Sequence, residues 1–437
     1  MELLKYTLQN VSYAIVEPSY ALILILMGLA FYMKNRKITL MEKLVMGKNT
    51  ISAFELTISQ IVMGIFGGVL VSIILTFLGV SFYESSNIFL IFILSVGLIF
   101  VNPKLGAFSY SGSVLGLVSI LLFFLSQALN KPNLNVMNLD ITNLIIVIAV
   151  MHFAEGLLII LDGKRGAIPV FSGRDKHIIG GFAYGRQWVL PMIILLMVQA
   201  SGADLLSGNA VNTPGWWPLV NHEENLVLFA TMIIGALPMY SGLSYKTATF
   251  TKSKGEKPVI SGALLCVFSI FVLMLSQFGN INKFLDTFLL VLIPLAHEGI
   301  SRLEKQMELK AKPKYVSTNE GVCVLDVAPN SIAKEMGLCP GDLILEINEE
   351  KVLKDEVVFK FLERMPYHIK MYVRGVNGEI KILTKNIQDR KEKLGFVIVP
   401  REVPKQVKVA GSGNNSGGEM RFSDIINNVK KKKNDED

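Results

Sequence analysis

Nine apolar runs, almost free of charge, fill the first two-thirds of this 437-residue chain, and no water-soluble core accommodates that many. They cover residues 20–33, 59–80, 88–101, 113–129, 142–161, 187–200, 226–240, 259–276 and 284–296. A spanning helix needs about 20 residues, with roughly 17 as the lower limit. The second, fourth, fifth and eighth runs reach that alone. The others need flanking residues, and the first could instead be interfacial or re-entrant. The reading is an α-helical polytopic membrane domain of eight or nine helices over residues 1–300. Composition agrees: 51% of residues are hydrophobic and 18% charged, where soluble chains carry about 25% charge. Of the 43 Lys and Arg, 18 precede residue 300, as do 15 of the 36 Asp and Glu.

The basic residues orient these runs. Lys34, Arg36, Lys37, Lys43 and Lys48 follow the first run, Lys104 the third, Lys164, Arg165, Arg174, Lys176 and Arg186 the fifth, and Lys246, Lys252, Lys254 and Lys257 the seventh. Cytoplasmic loops are enriched in Lys and Arg, so these alternate loops are placed inside and the chain leaves its last helix into the cytoplasm. Trp216 and Trp217, in a stretch with Asp204, Glu223 and Glu224 but no Lys or Arg, fit the outer interface. The first 18 residues lack a basic n-region and a small-residue cleavage site, so the first run is expected to be an anchor if it spans. The net charge of +7 reads as cytoplasmic loops, with no nucleic-acid partner expected. Cys266, Cys323 and Cys339 form no disulfide framework and suit a reducing compartment. Gly64 and Gly68 form a small-xxx-small face whose plain reading is packing within the chain, with a dimer interface as the rival.

Ionisable groups at membrane depth are costly and are functional suspects. His152, Glu155 and Asp162 share one helical face in the fifth run. They read either as a proton relay or as a hydrogen-bonded brace, Asp162 lying at the boundary beside Lys164 and Arg165. His297-Glu298 begins like the zinc motif H-E-x-x-H, but Ser301 stands where the second histidine belongs. Leu161-Asp162-Gly163, which an intramembrane metalloprotease would carry on another helix, lies upstream of that pair. No catalytic residue, metal site or cofactor is expected. A transporter would use His152, Glu155 and Asp286; broken-helix inverted repeats are not obvious, although Pro191, Pro238 and Pro294 interrupt apolar runs.

After Lys312 and Lys314 the texture changes to that of a small α/β domain over residues 313–400. Residues 321–327 alternate as a strand, 330–337 form a short capped helix, and Pro340-Gly341-Asp342 turns into a strand over 343–348. Residues 354–365 have helical periodicity, and 369–374 with 379–383 read as a hairpin. The stretch GVCVLDVAPNSIAKEMGLCPGDLILEINEEKV resembles the bacterial PDZ domain, a small β-sandwich that captures peptides by strand addition. The resemblance implies that Leu394, Gly395, Phe396 and the strand from Val397 hold the ligand's end, in a permuted order, with Val357, Val358, Phe361 and Leu362 on the partner helix. Some of these helix residues must face the core. A PDZ fold serving only as a docking surface is the plain alternative. Residues 401–437 read as a flexible charged tail with a Gly/Ser/Asn-rich linker at 410–418 and a basic run at 430–433.

Many membrane helices followed by one PDZ domain, together with the stretch HFAEGLLIILDGKRGAIPVFSGRDKHIIGGF, resemble the MinJ family of division-site topology proteins. That family implies a multi-pass protein of the bacterial cell membrane, enriched at septum and poles, with its PDZ domain cytoplasmic. It implies a non-enzymatic scaffold joining a polar DivIVA-like protein to the MinD-like division inhibitor, with a homo-oligomer left open. A PDZ-bearing regulator of intramembrane proteolysis is the first rival and a transporter the second.

Overall fold

The computed structural model describes residues 2–46, 51–101, 103–174, 177–199, 216–219, 232–364, 366–387 and 394–401. The sequence-read tail beyond Arg401 lies outside them. Up to Arg401 the chain forms one compact unit.

Among the described residues, eight α-helices precede the C-terminal sheet: α1 (Glu2–Val16), α2 (Pro18–Met46), α3 (Ala53–Leu78), α4 (Leu90–Val101), α5 (Phe108–Ala128), α6 (Ile141–Asp162), α7 (Glu256–Ser276) and α8 (Lys283–Lys310). Among the described residues, six of them (α2, α3, α5, α6, α7 and α8) are long and apolar enough to cross a membrane. Their ends are set locally. Ser52, Asp140 and Asn282 accept backbone N–H groups as N-caps of α3, α6 and α8. Helix α6 is the axis of the bundle, with residues 144–149 wholly enclosed. Helix α2 instead leaves Leu22, Ile25, Leu26 and Leu29 uncovered, as a lipid-facing helix does. Helices α6 and α7 cross at Gly156 and Gly262, each so close to the other's carbonyl that a Cβ would overlap it.

The helix count differs from the sequence reading for a definite reason. The run at 187–200, and the described part of 226–240, lie on strands. Strand β1 (Ser81–Tyr83) precedes them; β2 (Ile168–Arg174), β3 (His177–Gln199) and β4 (Met232–Thr249) form an antiparallel sheet. The β3–β4 ladder runs unbroken from Phe182↔Thr249 to Gln199↔Met232. A proline inside a helix loses a hydrogen bond and clashes with the preceding turn. At a strand position whose N–H points off the ladder it loses nothing. Ile193 N–H donates to Ser72 Oγ at 3.0 Å, away from β4. Its ladder partner Pro238, and Pro191 two residues away, therefore hold such outward positions. The hairpin leaves and returns to one end of its ladder, and α4, at 12 residues, is the further run that falls short of a span.

Helix α3 covers the side of β3 that β4 does not. A Cβ at Gly64 would lie 2.1 Å from the Val189 carbonyl oxygen, and one at Gly68 2.0 Å from that of Pro191. The Gly64/Gly68 face thus packs within the chain, against a strand edge rather than another helix.

The C-terminal sheet follows the sequence reading closely. Strands β6 (Val322–Val327), β7 (Leu343–Ile347), β8 (Glu350–Lys351), β9 (His368–Arg374), β10 (Ile380–Asn386) and β11 (Phe396–Ile398) accompany helices α9 (Ile332–Glu335) and α10 (Asp355–Arg364). Strand order is β10-β9-β7-β6-β11, with β8 beside β7. Strand β5 (Tyr315–Val316) joins this module to the membrane sheet through Ile179↔Val316 and Gly180↔Tyr315.

Candidate functional site: the peptide groove and the buried polar clusters

Strand β11 ends its sheet, pairing with β6 through Phe396↔Val327 and Val397↔Asp326. The turn before it is built around Gly395, whose φ of +75° favours glycine and whose Cβ would lie 2.5 Å from Ser331 Cβ. Ala328 N–H donates to the Gly395 carbonyl at 2.7 Å, and Ala333 N–H to that of Leu394 at 3.0 Å. Leu394, Phe396 and Ile398 point into the module's core with Val358 and Phe361 of α10. Val357 and Leu362 are half-buried at its margin. Of the eight residues read as peptide contacts, Leu394, Phe396, Val358 and Phe361 are therefore core residues, and Val357 and Leu362 keep partly open side chains. Arg401 ties the end of β11 to α10: its N–H and Nη1 bond Asp355, and Nη2 bonds the Val352 carbonyl at 3.0 Å.

The opposite face of β6 and β11 is equally enclosed. Cys323, Leu325, Val397 and Val399 belong to the core cluster of the membrane domain. Gly180 of β3 leaves room for Val399 and Leu325, and the Tyr315 ring meets Phe182 edge-on at 5.7 Å. Lys254 Nζ bonds Asp326 Oδ2 at 2.9 Å, and Lys314 reaches Glu256 at 2.8 Å. Glu308, near the end of α8, accepts the N–H groups of Phe250 (2.6 Å) and Thr251 (3.0 Å) and the Thr249 and Thr251 hydroxyls. Burial raises the Cys323 thiol to about 12 and raises the Asp342 carboxyl above its usual range.

In the membrane domain, Ser109 N–H donates to His152 Nε2 at 3.2 Å, so a neutral His152 carries its proton on Nδ1, 3.2 Å from Glu155 Oε2. The His152 ring stacks on His297 at 5.0 Å, Phe268 and Tyr110 pack on the same histidine, and Tyr110 bonds Glu298 at 3.3 Å. The His297 Nδ1 atom is buried without a hydrogen-bond partner. Among the described residues no group of three or more His, Cys, Asp or Glu is placed to hold a metal ion. Asp286 is apart from this cluster; it accepts Asn280 N–H at 2.8 Å and faces Lys283.

Asp162 also leaves the His152 cluster. It accepts Ser59 Oγ, Arg186 Nε and Trp188 Nε1, each at 2.9 Å, and pairs with Arg186 Nη2. Asp162 and Arg186 are 1% and 2% exposed. Sequence reasoning counted Arg186 among loop cations; its place inside GRQWVL, with no polar flank toward Pro191, was the available signal of burial.

Residues 324–384 match the PDZ domain family. This module is a PDZ domain. The cell division topological determinant MinJ of Bacillus subtilis (strain 168) is 22% identical over 278 residues, 59% of this chain and 63% of that protein. The probable MinJ determinant of Lacticaseibacillus paracasei is 28% identical over 85 residues, 19% of this chain and 23% of that protein. The matches thus span less than two-thirds of these relatives. No solved structure matches. The chain resembles the MinJ cell-division determinants, with a PDZ module carried on apolar helices of spanning length.

Proposed function

We propose that the chain is a non-enzymatic scaffold of the bacterial cell membrane that positions a cytoplasmic PDZ domain for division-site partners. By its resemblance to MinJ, those partners are a polar DivIVA-type protein and the MinD-type inhibitor. One observation carries the reading: β11 ends the PDZ sheet with α10 alongside, while the sheet's other face is fixed to the membrane domain through β5 and Lys254. A peptide adding to β11 is therefore held at a set height above the bilayer. The cytoplasmic placement is supported by Arg174 and Lys254, read as inner-loop cations, which touch α8's last turn and the PDZ strand β6.

The test is imaging of a tagged copy in dividing cells, as the full chain, as Val357→Glu, and without residues 313–437. Septal and polar enrichment, with filaments or minicells on deletion, is the expected result. Uniform membrane signal with normal division overturns it. A second reading, a regulator of intramembrane proteolysis, is favoured by one observation: His152, Glu155 and His297 converge although H-E-x-x-H is incomplete. It predicts copurification with a protease and loss of a cleavage product on deletion.

A further inference from the structure

Strand β4 has an outer side that the fold closes over only half its length. Antiparallel pairing alternates residues that bond across the ladder with residues whose N–H and C=O point away. Because Pro238 points away, so do Tyr240, Gly242, Ser244, Lys246 and Ala248. The deeper half is closed: Tyr6 Oη donates to the Ile234 carbonyl at 3.1 Å and Tyr20 Oη to that of Pro238 at 3.2 Å. This is the treatment a sheet edge needs at membrane depth, where unbonded backbone groups are costly. Beyond Tyr240 it stops. Gly242, Ser244, Lys246 and Ala248 are exposed, a Cβ at Gly242 would meet nothing within 4 Å, and among the described residues no hydrogen bond reaches their outward backbone groups.

Charge marks the same stretch. Lys246 is exposed and forms no ion pair among the described residues, whereas Lys254, Lys257 and Lys314 nearby each do. Lys34, which bonds the Gly185 carbonyl at 3.1 Å, lies off the far side of β3, because that carbonyl points away from β4. We propose that the outer edge of β4 from Tyr240 to Ala248 is a second strand-addition site, distinct from the PDZ groove, which takes an extended acidic segment of a partner protein. The backbone groups supply the ladder and Lys246 selects the charge. A second copy of this chain would bring a like cation to the same edge. An anionic lipid headgroup would satisfy Lys246 but not a row of alternating N–H and C=O groups.

The probe is a fluorophore-labelled Val-Glu-Val-Glu-Val-Glu-Val peptide, acetylated and amidated so that it offers the PDZ domain no terminal carboxylate, with a Lys-for-Glu counterpart. Binding to the full chain in phosphatidylcholine nanodiscs is read by anisotropy. The acidic peptide is expected to bind and the basic one not. Ser244→Pro removes an outward N–H that no ladder bond uses, and should weaken binding at least about fivefold, the loss of one backbone hydrogen bond or more. Lys246→Glu, a surface change that keeps the fold should the proline disturb it, must weaken the acidic peptide and strengthen the basic one. Equal binding of both peptides, or indifference to both substitutions, overturns the proposal. So does binding that Ser244→Pro leaves intact and that phosphatidylglycerol nanodiscs abolish, which assigns Lys246 to lipid.

Discussion

Neutralising Asp162 isolates the contact on which the junction of α3, α6 and β3 depends. Asp162→Asn keeps the side chain's shape, its one oxygen accepting Trp188 Nε1 and its amide N–H donating to Ser59 Oγ, but leaves the 2%-exposed Arg186 guanidinium without a counter-charge. Removing one partner of a buried ion pair costs about 3–5 kcal/mol, which is a shift of at least about 100-fold in the unfolding equilibrium. Arg186→Met strands the carboxylate and should cost about as much. The double variant restores neutrality, fills the guanidinium's space with an apolar chain, and still gives Trp188 Nε1 an acceptor and Ser59 Oγ a donor. It should therefore cost less than the sum of the singles by at least about 2 kcal/mol, the size expected of groups in one network. The assay is SDS titration of the purified chain in mixed micelles, followed by tryptophan emission, since Trp188 is itself a member of the network. Additive costs, or a cost below about 1 kcal/mol for Asp162→Asn, would refute the reasoning by showing that the pair is hydrated.

Three other expectations use different contacts. In permeabilised membranes a maleimide at pH 7 should label the exposed Cys339 and spare Cys323, whose thiol burial lifts to about 12, until the protein is unfolded; mass spectrometry of the labelled peptides decides it. Gly180→Val sets a Cβ 2.7 Å from Val399 Cγ2 and 2.9 Å from Leu325 Cδ1, a cost of about 1–3 kcal/mol at the PDZ seat. It should speed tryptic cleavage after Lys314, while Gly173→Val, with nothing within 4 Å, should not. Asp342 has a folded-state carboxyl pKa above its unfolded value, so its stabilising contribution is complete below the unfolded pKa and is lost as pH rises through the folded one. Asp342→Asn, which keeps an acceptor for Cys339 N–H, should therefore compare more favourably with the parent chain in thermal melts at pH 7 than at pH 3.

The PDZ module was legible because its signals are local. Ser331 caps α9, Gly337 closes it with a φ of +90°, and Gly378 turns β9 into β10 at +83°. Each of these residues names its own backbone conformation, and strand or helix boundaries follow within a residue or two. What the sequence did not disclose is that both faces of β6 are enclosed, so that Cys323 and Leu325 serve the membrane core while Val322 and Val324 serve the module. Residues 321–327 read as an alternating strand, yet 322–325 are apolar at every position, and that run is the trace such double burial leaves.

The hairpin was misread because an apolar run states only that its residues avoid water. Length separates helix from strand where the run is long, and 187–200 is too short for that test. The deciding signal was carried by Pro191 and Pro238, read as interruptions of helices. On β3 and β4 each occupies an outward position, so the prolines fix which half of the residues faces off the ladder. That one parity places Val189 and Pro191 carbonyls against Gly64 and Gly68, and it gives Ile234 and Pro238 carbonyls to the tyrosines. It also turns the backbone of Ser244 and Lys246 outward, where nothing in the described chain meets it. An edge that the fold covers at depth and leaves open beside the unpaired Lys246 is best explained by a partner strand, because a sheet with nothing to receive needs only the first half of that arrangement.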